Sequence, residues 1–74
     1  MQLITVESSM IHAIGYDADT HILEIIFNTG GIYQYGDVPP QVYEALLNAE
    51  SKGRYFSEHI RDAYPYWQLG QEPG

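Results

Sequence analysis

The first half of the chain alternates apolar and polar residues in short runs, and the second half switches to three- and four-residue spacing. Three runs read as strands. The first spans about Met10 to Tyr16 and stops at Asp17-Ala18-Asp19-Thr20, where aspartate side chains bond their own backbone. The second is Ile22-Leu23-Glu24-Ile25-Ile26-Phe27, bounded by Asn28-Thr29-Gly30-Gly31, in which glycine takes positive φ at low cost. The third is Ile32 to Tyr35, ended by Gly36 and Asp37. Short loops between them predict antiparallel pairing in a meander, with Leu3 to Val6 either a fourth strand or a segment packed across an edge.

Pro39-Pro40 then marks a helix start, because proline at the first helical position gives up an N–H that has no partner there. Val42, Tyr43, Leu46, Leu47 and Ala49 form the stripe of a helix lying on a sheet. Ser51 is placed to cap a second helix, Gly53 to ease the bend between the two, and Tyr55, Phe56, His59, Ile60 and Ala63 to form its buried face. Tyr64-Pro65 is expected to end that helix, since the residue before a proline is driven out of helical geometry. Tyr66, Trp67 and Leu69 are then expected to fold back over an open side of the core. The fold class is therefore α+β: an antiparallel meander of three or four strands followed by two short helices packed on one face. The single domain is expected to span residues 1–69, with 70–74 as a flexible tail by composition.

The register of the meander stays open. A turn of two or four residues after Phe27 puts Tyr33 and Tyr35 on the face of Ile22, Glu24 and Ile26; a three-residue turn puts them with Leu23, Ile25 and Phe27, the expected core set. The tyrosines are either core pillars or an exposed aromatic pair.

Seventy-four residues lie near the lower limit for one self-sufficient core, so packing has first claim on the aromatic residues. Cysteine is absent, which excludes disulfides and thiolate metal sites and suits a reducing compartment. Without a basic leader or an apolar run near the ~20 residues that span a bilayer, the expectation is a cytoplasmic protein with no membrane association. The formal charge is −7, and residues 1–51 hold seven acids and no lysine or arginine. All positive charge, Lys52, Arg54 and Arg61, lies within ten residues.

Taken in order, Ser9 to Tyr16-Asp17, Phe27 to Gly30, Tyr33-Gln34-Tyr35, Val38-Pro39, Ala49-Glu50-Ser51-Lys52-Gly53-Arg54-Tyr55-Phe56 and Ile60-Arg61 resemble the KTSC domain. The resemblance covers about residues 7–66. It implies an intracellular bacterial or phage protein of uncharacterised activity. KTSC domains also occur at the carboxyl end of some lysyl-tRNA synthetases, and those fusions imply an RNA-binding role. The acidic balance of this chain opposes that role, which ordinarily leaves a basic footprint.

The candidate ligand site is the corner Ser51-Lys52-Gly53-Arg54 with Arg61, where a capped helix start and cationic side chains together suit a phosphate or carboxylate. The competing reading is a capped bend, with Lys52 and Arg54 at the end of the first helix and Arg61 paired to Glu58 or Asp62. Tyr33 and Tyr35 are candidates for a base-stacking platform, against the alternative that they pack under the helices. His12, His21 and His59 lack ligand spacing, so no metal is expected; His59 reads as a half-buried histidine on the second helix. Asp17 and Asp19 are explained by a turn, and Ser8-Ser9 near His12 does not form a triad.

The residues thus point to a non-catalytic binding module with no cofactor. It engages a protein partner or a small anionic ligand through the sheet and the 51–61 corner. The alternatives are RNA or single-stranded nucleic acid on Tyr33 and Tyr35, and sequestration of a nucleotide at the basic corner. A protein-interaction role calls for an exposed apolar patch, at Tyr66-Trp67 or an open sheet edge. The geometric question that separates site from scaffold is whether Tyr33, Tyr35, Arg54 and Arg61 share one concave surface.

Overall fold

A computed structural model, which describes residues 1–71, resolves that question by first fixing the sheet. Strands β1 (Leu3–Thr5), β2 (Ile11–Asp17), β3 (Ile22–Phe27) and β4 (Gly31–Tyr35) follow one another, then helices α1 (Pro40–Asn48) and α2 (Lys52–His59), then β5 (Tyr66–Gln71). Each strand pairs antiparallel with its neighbour in the order β1-β2-β3-β4-β5. The α+β meander with two helices after it is as the hydrophobic pattern predicts, with Leu3–Thr5 as a true strand.

The fifth strand is the difference. Tyr66, Trp67 and Leu69 were expected to lie over the core, and they instead extend the sheet along the free edge of β4. The Gly36 N–H donates to the Pro65 carbonyl at 2.8 Å and steers the chain onto that edge. Backbone groups on β4 that have no other partner are satisfied by the returning strand. β5 runs on through Gly70 and Gln71, so these two residues belong to the sheet and not to a tail. The rest of the expected tail, 72–74, lies outside the described residues.

Asn28-Thr29-Gly30 forms a three-residue turn between β3 and β4. Its last residue, Gly30, has φ 96°, and its N–H donates to the Phe27 carbonyl at 2.8 Å. Three-residue hairpin loops require such a positive-φ position at their end, which glycine supplies without a Cβ penalty. The pairing that results is Ile26 with Ile32, Ile25 with Tyr33 and Leu23 with Tyr35. Both tyrosines therefore share the face of Leu23, Ile25 and Phe27. The alternative register, with an exposed pair, does not occur.

The helices cover this face. Ile11, Ile14, Leu23, Ile25 and Tyr35 from the sheet pack with Val38, Leu46, Phe56 and Ile60 to form the buried core. Burial of each large apolar side chain contributes about 1.5–3 kcal/mol, so the core is what holds this short chain. Tyr16, on the same face, stacks on Tyr43 of α1 with ring centroids 4.7 Å apart, and its hydroxyl donates to the Val38 carbonyl. Asp17 Oδ1 accepts from the Asp19 N–H at 2.9 Å, the expected aspartate turn.

The helical half follows the sequence with three corrections. Pro40 opens α1, and Ser51 Oγ accepts the Arg54 N–H at 3.3 Å to cap α2, as expected. Gly53, however, sits buried in the first turn of α2 and not in a bend; a Cβ there comes within 3.0 Å of Met10 Cβ. Its role is close approach of the helix to the loop before β2. α2 ends at His59 and not at Tyr64-Pro65, with the Ile60 and Arg61 N–H groups both donating to the Phe56 carbonyl at 3.0 Å. Because the helix is only two turns long, Phe56 and Ile60 alone of its expected apolar set are buried. Tyr55 is half-buried, while His59 and Ala63 are exposed, and His59 leans on the Tyr55 ring at 4.6 Å.

No helix among the described residues is long and apolar enough to cross a membrane.

Gly30→Ala forces a Cβ into the positive-φ position on which the β3–β4 register rests. Its unfolding free energy in urea falls by about 1–2 kcal/mol, the cost of left-handed backbone for a non-glycine residue.

Candidate functional site

At the Phe27 end of the sheet the helical layer stops short and leaves a cleft. β4 supplies Tyr33 and Tyr35, β5 supplies Tyr66, and α2 supplies Phe56. Arg61 and Asp62 stand over these rings from the turn after α2. The loop before β2 and the Asn28-Thr29 turn complete the rim of a cavity of about 690 Å³.

Aromatic contacts hold the walls. Tyr35 meets Phe56 edge to face at 5.3 Å, and Phe27 meets Tyr33 in the same way at 5.6 Å. Tyr66 sits against both strand tyrosines, 5.7 Å from Tyr35 and 6.0 Å from Tyr33. Such pairs add about 0.5–1.5 kcal/mol each beyond the area they bury. The wall is therefore part of the core as well as the lining of a cleft.

Three phenols and one guanidinium share this space. Among the described residues, none of the hydroxyls of Tyr33, Tyr35 and Tyr66 takes a protein hydrogen bond, and no polar side-chain atom is buried without a partner. Burial pushes the Tyr35 phenol up to about 12, the Tyr33 and Tyr66 phenols add to the rise, and Arg61 opposes it. The Tyr35 hydroxyl is thus a neutral donor across the physiological range. Hydroxyl donors beside a guanidinium suit an oxyanion.

Of the residues singled out from sequence, Tyr33, Tyr35 and Arg61 come together here. Ser51 and Arg54 do not join them; they line a second, shallower hollow of about 350 Å³ with Tyr55, Glu58 and His59. The hollow runs along the outer side of α2 from Ser51 to His59, whereas Phe56 of the same helix and Arg61 beyond it line the cleft. In the hollow, Arg54 Nε lies 2.6 Å from Glu58 Oε1, and the pair is exposed to solvent. That hydrogen bond holds the Glu58 carboxyl below the usual carboxylate range. Lys52 Nζ donates to the Ala49 carbonyl at 3.0 Å and so caps the end of α1, while Gly53 is packed on Met10. The expected convergence of Ser51, Lys52, Gly53, Arg54 and Arg61 on one corner is not what the fold builds. Glu58, expected as a partner for Arg61, is engaged by Arg54. Among the described residues Arg61 forms no ion pair.

Sequence reasoning missed Tyr66, Phe27, Phe56 and Asp62 as lining residues. The period-two pattern of Tyr66-Trp67-Gln68 was the available signal for Tyr66, since it marks a strand whose first residue shares the face of Tyr35.

A model of the KTSC domain family matches residues 7–64, which hold β2 to β4 and both helices. The chain belongs to the KTSC family. It is similar to the crystal structure of a KTSC domain protein from Yersinia pestis, with a TM-score of 0.91 and 40% identity over 93% of this chain and 97% of that one. An uncharacterised protein of Stutzerimonas stutzeri is 40% identical over 93% of this chain and 99% of its own length. A lysine–tRNA ligase of Nostoc punctiforme is 40% identical over 90% of this chain, which spans only 12% of the ligase. The domain is thus shared by stand-alone chains of similar length and by a small part of a much larger enzyme.

The raised Tyr35 pKa sets an alkaline test. In a spectrophotometric titration, Tyr35→Phe removes the tyrosine ionisation near pH about 12. Because the folded value lies above the unfolded value of about 10, the stability contributed by neutral Tyr35 is complete below pH ~10. It is lost as pH rises toward about 12, and Tyr35→Phe flattens that part of the stability curve.

Proposed function

We propose that this KTSC domain is a binding module for a small anionic ligand bearing a planar ring, seated in the cleft with its acid group at Arg61. The observation that carries this reading is the convergence of Tyr33, Tyr35 and Arg61 on one cavity of about 690 Å³, a size typical of small-molecule sites. The guanidinium offers a paired set of donors to a phosphate or carboxylate, and the phenols add neutral donors that need no counter-charge. Phe27, Tyr33 and Phe56 offer an apolar wall for the ring.

Binding without chemistry fits the site. Among the described residues the cleft has no cysteine or histidine, and no nucleophile, base and orienting group lie in sequence along it.

A nucleic-acid role is the competing reading, motivated by the lysine–tRNA ligase relative. Tyr33 is half-buried and packed against Phe27 and Tyr66 within the cleft, which does not favour it as an open platform for successive bases. The net charge of −7 adds an electrostatic penalty for every further phosphate.

Titration of ¹⁵N-labelled protein with adenosine monophosphate, followed by amide shifts, tests the reading. The expected shifts cluster at Met10, Asn28, Tyr33, Arg61 and Tyr66. Arg61→Ala weakens the ligand by about 10–100-fold, the worth of a charge-assisted hydrogen bond. Arg54→Ala leaves the affinity unchanged, since Arg54 lies at the other hollow. Shifts around Ser51, or sensitivity to Arg54→Ala alone, overturn the assignment. Salt-dependent binding of a single-stranded RNA in place of the mononucleotide favours the competing reading.

A further inference from the structure

We infer that β5 is a self-complementary edge through which two copies of this chain join into one continuous sheet, paired about Trp67. The six exposed large hydrophobic residues of the described chain all lie on or beside the two edge strands: Met1, Leu3 and Ile4 at β1, Tyr66, Trp67 and Leu69 on β5. β1 has three residues, whereas β5 has six. β5 contains no charge and no proline, two of the devices that keep an edge strand from pairing, and its one irregularity lies after Gln68.

The direction of its backbone follows from the β4–β5 ladder. Gly36 and Pro65 are joined by the 2.8 Å bond already described, and hydrogen-bonded and non-hydrogen-bonded pairs alternate along an antiparallel ladder. Gln34 and Trp67 are then a hydrogen-bonded pair. Tyr66 and Gln68 turn their N–H and C=O groups to the free edge. Pro65 closes this open stretch on one side and the register shift after Gln68 closes it on the other. What remains is short, uncharged and symmetric about Trp67.

Of the antiparallel registers, the one centred on Trp67 is the one that engages the outward N–H and C=O groups of both Tyr66 and Gln68. A second β5, antiparallel about a two-fold axis at Trp67, exchanges Tyr66 with Gln68 of the other copy in both directions, giving four backbone hydrogen bonds. Trp67 then faces Trp67 across a non-hydrogen-bonded position, where side chains come closest and aromatic cross-strand pairs are most favourable.

The indole is prepared for this. Its Nε1–H donates to Gln34 Oε1 at 3.1 Å, and Gln34 Nε2 donates in turn to Glu24 Oε1 at 2.8 Å. The ladder fixes the ring on the sheet face away from the helices while leaving it 41% exposed. A chain of charge −7 resists self-association at most of its surface, and this stretch brings no acid residue against another. The strand pair is small, so the dimer belongs to the weak end of specific interfaces. The cleft stays open in it, because Tyr66 offers its backbone to the other copy and its ring to Tyr33 and Tyr35.

Sedimentation velocity from about 10 µM to about 1 mM, the range in which weak complexes form, tests the inference. The expected result is a shift from monomer to dimer, accompanied by an exciton couplet in the circular dichroism of the sole tryptophan. Gln68→Pro removes one outward N–H at an edge position that tolerates proline, keeps the native far-UV spectrum and stays monomeric. Trp67→Lys sets two cations face to face, also stays monomeric, and serves as the second variant should Gln68→Pro not fold. A wild-type chain that is monomeric at every concentration, a variant that dimerises like wild type, or growth beyond the dimer overturns the pairing.

Discussion

The turn at Asn28-Thr29-Gly30 is the constraint on which the rest of this structure depends. Side chains alternate across a strand with a period of two, so one residue more or less in that turn moves Tyr33 and Tyr35 to the opposite face. With three residues and Gly30 at φ 96°, both rings enter the face that the helices cover. Tyr35 then becomes a core residue at 3% exposure, while Tyr33, nearer the turn, stays half-buried where the helical layer ends. The depth of each tyrosine is set by its distance from the turn. Core and cleft are two ends of one aromatic row.

A chain this short has no apolar residues to spare, so the residues that line its cleft also hold its core. Phe56 shows how. It is buried in the core and packs edge-on against both Phe27 and Tyr35, which themselves line the cleft. The cleft is therefore rigid by construction. Its rings are fixed by the contacts that hold α2 on the sheet, and a ligand meets a surface already ordered, at less cost in side-chain entropy.

Much of the fold was legible along the chain because local chemistry and tertiary packing agree. The β3 run, the proline start of α1 and the Ser51 cap each combine a propensity with a pattern. The places where reading failed are those where a distant partner decides. Gly70 and Gln71 have the composition of a tail, yet β4 offers them a ladder. Tyr64-Pro65 is a strong helix stop, yet α2 ends five residues earlier, where Ile60 turns into the core and both the Ile60 and Arg61 N–H groups bond the Phe56 carbonyl. That early ending carries Arg61 away from the Ser51 corner and over the tyrosines. Nothing local in the sequence marks it. The union of Tyr33 and Tyr35 with Arg61 depends jointly on the turn register and on the helix end, and the local sequence decides neither.

The proposal of an anion site on a domain of charge −7 is self-contradictory only if charge is treated as a single number. Screening at physiological salt confines exposed charges to a range of about 8 Å, so a ligand that ends within the cleft is governed by Arg61, Asp62 and the phenols. Arg54 and Lys52 do not enter, since one is engaged by Glu58 and the other by the end of α1. A ligand that extends beyond the cleft meets an acidic surface instead, and each added phosphate is opposed. The proposed site therefore sets a small anion against a different local charge from the one a polymeric nucleic acid meets along the surface. On the proposed reading, selectivity for size follows from acidity outside the cleft and donors within it, with Arg61 as the cation that lines it.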